Sequence, residues 1–187
     1  VDDYAMGILL RGDAGTSSIT GGALSLVGTS NNASNASGVS MVNSTVQAAT
    51  SLAVSGTTTQ TTSAALRMDA QSTLTAGGAT QLSGNAAMVL GNVDSTGALS
   101  ISTTNGSVSQ VTGTTVLADS TTSVTVQNAD VTLNNTGNNM AGLITVNNAA
   151  NLNLRSTLLK LGSIATSGAQ TYNSPVQLMS NPTFDGH

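Results

Sequence analysis

The chain has 187 residues, the size of one domain or of one segment of a longer repetitive one. Charged residues are 6%, Glu is absent and the formal net charge is −4, so Arg11, Arg67, Arg155 and Lys160 leave no electrostatic footprint for nucleic acid and no polybasic membrane patch. Aromatics are 2% against 39% hydrophobic residues; a narrow aliphatic core suits that supply, and the Ser, Thr, Asn and Gly that make up the rest are poor helix-interior residues.

From the start of the chain, Tyr4 to Leu10 reads as strand-like sequence. Three stretches then lie over one another: Gly7 to Gly28, Gly38 to Gly56, and Ala65 to Gly84. Each opens with an apolar alternation, carries a β-branched or Leu residue in its middle, and closes on alternating apolar residues followed by Gly. The offsets are nearly constant. Ile19, Val46 and Leu74 recur at about 27–28 residues, as do Leu26, Val54 and Leu82, and Met41 and Met68. Such a period matches one turn of a solenoid with three short strands and their corners.

A shortened fourth copy runs through Met88-Val89-Leu90, Val93, Leu99 and Ile101. The rhythm then tightens: Val126 to Val146, Val131 to Leu152 and Leu133 to Leu154 are offsets of about 20–21 residues. Period-2 strands recur at Leu99–Ile101, Val124–Val126, Val131–Leu133, Ile144–Val146 and Leu152–Leu154, with apolar side chains inward and Ser, Thr or Asn outward. Clusters such as Asn134 to Asn139 read as turns between them.

The expected fold is all-β: a right-handed parallel β-helix (β-solenoid) with three short strands per coil and about seven or eight coils. It forms a single segment over 1–187, with coils of about 27–28 residues in 1–86 and of about 20–25 residues in 87–187. Two structural alternatives stand beside it. A disordered Ser/Thr-rich stalk lacks apolar residues in register. A β-sandwich also has short strands and turns, but does not require superimposable copies.

Three stretches carry a family resemblance: Ala98 to Gln110, Asp130 to Met140, and Gly168 to Leu178, the last similar to a recurring GxQTYNxxVxL pattern. They resemble the repetitive passenger regions of filamentous haemagglutinin-like adhesins, exoproteins of the two-partner secretion pathway. The resemblance implies a secreted or bacterial cell-surface protein, a β-helical stalk or filament, and a part in cell adhesion. No amino-terminal secretion domain is recognisable in the chain, so it is expected to be an internal segment or a subunit. Both ends look cut within the pattern, from Tyr4 onward and at Phe184 to His187. The expected partners are therefore further β-helix coils or identical subunits end to end, together with a host-cell receptor, glycan or other cells.

Candidate sites are few. Arg11-Gly12-Asp13 is an RGD tripeptide in the insertion that lengthens the first repeat. It could present a cation and a carboxylate to an integrin-like receptor, and it equally suits an ordinary solvated corner. Asp69, Asp94 and Asp119 fall at equal intervals of about 25 residues, as stacked acids for Ca²⁺ or polysaccharide chemistry would. The repeat alignment places Asp69 after a first strand and Asp94 within a second, so no stack is expected. His187 is the one His and sits at the chain end. Gly21-Gly22 and Gly77-Gly78 read as equivalent corners. Thr57-Thr58-Thr59 suggests the flat Thr arrays of ice-binding solenoids, without the regular repetition they need. No enzyme activity, cofactor, metal, nucleic-acid binding or membrane insertion is expected, and Cys is absent. The alternative function is a glycan-binding or polysaccharide-processing β-helix protein.

Overall fold

A computed structural model describes residues 7–13, 15–31, 36–60, 62–179 and 182–186. The strand-like start at Tyr4 to Met6 and the terminal His187 lie outside them. Among the described residues there are strands and turns and no helix. The chain is a parallel β-solenoid, as the repeat offsets require.

Coil 1 has strands Ile8–Arg11, Ser17–Gly21 and Leu24–Ser30. Coil 2 has Val39–Val42, Ser44–Ala48 and Leu52–Thr58. Coil 3 has Ala64–Met68, Thr73–Ala76 and Thr80–Gly84. Coil 4 has Ala87–Leu90, Asn92–Ser95 and Leu99–Thr103. Each strand pairs in parallel with its counterpart one coil on, giving three faces. Strands of the second face form one sheet; first and third faces join in another.

The two faces join because, after the third strands of coils 5 and 6, the corner before the next first strand disappears, whereas positions 167–169 again separate Leu159–Thr166 from Gln170–Tyr172. The sequence pattern suggests separate strands at Val124–Val126 and Val131–Leu133. The structure instead runs one strand from Thr122 to Leu133, and another from Leu143 to Leu154. Asn128 and Asn148 make the bends, with φ of 50° and 59°. Asn tolerates this left-handed conformation better than other side-chain-bearing residues, so a single Asn turns the corner without a loop.

The core is a set of aliphatic columns. Leu26, Val54, Leu82, Ile101, Val124 and Val146 lie opposite one another on successive coils of the third face. Ile19, Val46, Leu74, Val93 and Val116 do so on the second. Both columns read from the repeat offsets are therefore present, and Met41 faces Met68 as expected. One pairing is corrected: Val146 lies opposite Val124, not Val126. No coil could bury these residues alone, and neighbours supply each other's apolar floor and ceiling.

The coils are longer at the start of the rod than at its end. Along the third-face column the step from coil to coil is about 28 residues at Val54 to Leu82 and about 18 residues at Val146 to Ile164, each step being one turn. On the inner side of the third strands, Gly28, Gly56 and Gly84 form another column. Gly56 has no room for a side chain, because the Ala65 carbonyl occupies the place of its missing Cβ. Here the first and third faces meet backbone to backbone.

Polar residues are also buried, and two of them interrupt an apolar column. Thr80 and Thr122 occupy the inward column of Leu52 and Leu99. Both are buried, and neither hydroxyl has a hydrogen-bond partner. An unsatisfied buried hydroxyl costs on the order of 1–3 kcal/mol, and valine has nearly the same shape. Thr122→Val is thus expected to stabilise the protein by about 1 kcal/mol, read as a rise in denaturation midpoint at unchanged m-value. A drop in midpoint would show that the hydroxyl is solvated or bonded.

Candidate functional site

The RGD tripeptide sits at the corner between the first and second faces of coil 1. Arg11 ends a strand opposite Val42, and Ser17 resumes opposite Ser44. The stretch 12–16 thus spans what Asn43 alone spans one coil on. Asn43 manages this by adopting φ of 47°. The insertion inferred from the longer first repeat is therefore real, and it lengthens this corner relative to its neighbour.

The corner is held from the adjacent coil. Gly12 N–H donates to the Val42 carbonyl at 3.0 Å. Asn43 Nδ2 donates to the carbonyls of Gly12 at 3.0 Å and Gly15 at 3.3 Å. A Cβ on Gly12 would collide with backbone oxygens of Gly15 and Asn43, so the tripeptide's glycine is sterically required. The Arg11 and Asp13 side chains are 59% and 71% exposed and are paired with each other. A receptor using both charges would have to open that pair. At this exposure an ion pair is weak, so opening it is easy.

The three Asp residues of equal spacing do not converge. Asp94 lies between Thr75 and Leu117 on the outside of the second face. Asp119 follows the strand that pairs there. Asp69 is a corner residue: its carboxylate accepts from Asn43 N–H at 3.0 Å and from Ser72 Oγ at 2.6 Å. It thereby secures the left-handed Asn43 that in turn holds the RGD corner. Asp130 likewise accepts from the N–H and Nδ2 of Asn151, at 3.1 and 2.9 Å, tying adjacent coils.

The glycine pairs both lie at the corner between second and third faces, but slightly out of step: Ala49 and Thr50 N–H groups donate to the Gly21 and Gly22 carbonyls, and Gly77 lies over Ala49. The Thr column is two coils tall, Thr29 and Thr57, with hydroxyls 2.9 Å apart. A longer outward column, Ser55, Ser83, Ser102, Thr125 and Asn147, was not picked out from sequence. Its signal is the polar residue two places after the outward residues Ala53, Gln81, Ser100, Ser123 and Thr145.

The last described coil exposes residues that belong to core columns. Leu178 continues Ile144 and Leu161, and Phe184 continues Val146 and Ile164. Leu161 and Ile164 are fully buried, whereas Leu178 is 59% and Phe184 40% exposed. At the other end, Ile8, Leu10, Ile19 and Leu24 pack against the core only partly buried.

Tyr172 lies in this last coil, opposite Leu154, and its hydroxyl donates to Gln170 Oε1 at 2.7 Å. Burial pushes its pKa up to about 12. The neutral phenol is favoured in the folded state, so its contribution to stability is complete below about pH 10 and is lost as pH rises toward 12. Absorbance titration of a Tyr4→Phe variant is expected to show phenolate forming near pH 12, and ordinary ionisation near 10 would place the ring in water.

Comparison with known families finds a match to a repeat family described as "Repeats of unknown function (DUF5649)", over residues 77–147. That stretch runs from the corner before the third strand of coil 3 to the close of the third face of coil 6, so it covers complete turns of the solenoid and one further strand. No curated protein and no solved structure matches the chain.

Proposed function

We propose that the chain is a stalk or filament segment of a secreted or cell-surface bacterial adhesin, joined end to end with further β-helix coils or with identical subunits. The observation that carries this reading is the open end: Leu178 and Phe184 stand in register with buried columns yet are exposed. The edge of such a coil is a template for another parallel strand. The resemblance to filamentous haemagglutinin-like passenger regions supports the adhesin part. The RGD corner, exposed and glycine-specified, is the element on this segment suited to a host-cell receptor.

The test is association of the purified chain, followed by sedimentation and electron microscopy. The wild type is expected to form end-to-end assemblies one solenoid wide, and a Leu178→Lys/Phe184→Lys variant to remain single while keeping its β-sheet circular dichroism. A wild type that stays monomeric at high concentration would defeat assembly from identical subunits and leave continuation into further coils of one chain as the reading. In parallel, cell attachment to the coated protein should fall with Asp13→Glu, which keeps the charge and moves it; unchanged attachment would remove the RGD corner from the proposal.

A further inference from the structure

A second surface feature lies far from the exposed last coil, where the corner between the third and first faces changes length. This corner spans positions 59–63 after the third strand of coil 2, only 85–86 after that of coil 3, and 104–107 after that of coil 4. The short middle corner is therefore recessed between two longer ones. The recess is a cleft of about 640 Å³, within the range of small-ligand sites.

Its floor is rigid. Asn85 pairs with the backbone of coil 2 as a strand would, accepting from Thr58 N–H at 2.9 Å and donating to the Thr58 carbonyl at 2.8 Å. Ala86 and Ala87 supply a small apolar surface, and Thr103 Oγ1 donates to the Ala86 carbonyl at 2.8 Å. Gly106, at φ of 108°, closes one side without a side chain. The rim is different. Gln60 and Asn105 hydrogen-bond through their backbones, and their side-chain amides have no partner among the described residues. Both residues border the cleft.

None of the lining residues is charged. An anionic ligand would find no cation, and a cationic one no carboxylate. What remains are amides and hydroxyls that both donate and accept, over alanine methyls. This combination complements a sugar ring, with hydroxyls on its rim and C–H groups on its face. We propose that the cleft between residues 58–60, 85–87 and 105–106 is a binding site for a neutral di- or trisaccharide, with Gln60 and Asn105 contacting its hydroxyls. No aromatic ring lines it, so single-site affinity is weak, and repetition along an assembled rod would be the route to avidity.

The proposal does not depend on the filament reading, since the cleft is remote from the exposed Leu178 and Phe184 that carry that reading. It is tested on the intact chain with an array of neutral and of sialylated or sulfated oligosaccharides. The best-bound neutral glycan is then titrated into ¹⁵N-labelled protein. Saturable shifts are expected at the amides of Gln60, Ala86, Ala87, Asn105 and Gly106. Affinity should fall at least tenfold in Gln60→Ala/Asn105→Ala, whose spectrum elsewhere stays that of the wild type because these side chains hold no partner among the described residues. Absence of any saturable neutral glycan, preference for the anionic ones, shifts confined to other coils, or full binding by the double variant would each overturn it.

Discussion

Val54→Asp is expected to abolish cooperative folding, at a cost of about 4 kcal/mol or more, a large part of the roughly 5–15 kcal/mol that holds a typical domain together. Val54 is 1% exposed, between Leu26 on one coil and Leu82 on the next. A carboxylate there has no cation and no donor within the column, and burying it unpaired forces either a proton onto the acid or local opening. The neighbour on the same strand is the control. Ser55 points outward, and Ser55→Asp should change stability by no more than about 0.5 kcal/mol. Thermal and denaturant unfolding of the pair would read the alternation directly. Equal, small effects at both positions would mean that the strand does not separate core from solvent.

Gly56→Ala is the second large effect, although it adds a single methyl group. That methyl would overlap the carbonyl carbon and oxygen of Ala65, which belong to the backbone of the next first-face strand and cannot rotate away. The two faces would have to part along a seam shared with Gly28 and Gly84, and overpacking of this kind costs about 3 kcal/mol. Gly22→Ala is the contrast. A Cβ at Gly22 meets nothing within 4 Å, so the same substitution there should be neutral or stabilising by at most about 1 kcal/mol, through the unfolded chain. Denaturation midpoints of the two variants should differ in sign or nearly so; a tolerated alanine at position 56 would show that the seam can open without loss.

The columns through Val54 and Leu74 were legible because two independent periods agree on them: alternation along the strand and recurrence from coil to coil. Where only one period operates, sequence reasoning slips. Val124 and Val126 both point inward, so either satisfies the apolar pattern opposite Val146. Only the hydrogen-bond register selects Val124. Continuous strands through Asn128 and Asn148 were likewise hidden, because Asn reads as a loop residue and its left-handed conformation is a backbone property. The RGD insertion was visible as surplus length. The pairing of Arg11 with Asp13 was not, because a side-chain rotamer decides it. Nor was the grip of Asn43 on Gly12, which joins residues from different coils. The corner cleft was least legible of all: it arises from the difference between three successive corner lengths, none of which is unusual alone.

In this solenoid the strands lie across the long axis and the ladders of hydrogen bonds run along it. Tension applied at the two ends therefore pulls those ladders in line and acts on the terminal coil first. A coil that detaches exchanges a rise of about 4.8 Å for its whole contour. At about 3.4 Å per residue, the step from Val54 to Leu82 releases about 95 Å, and the step from Val146 to Ile164 about 60 Å. The difference in coil length is thus also a difference in extensibility. A tether built this way lengthens many-fold before it breaks, dissipating the load coil by coil, and yields chain in shorter increments from its narrow end than from its wide one.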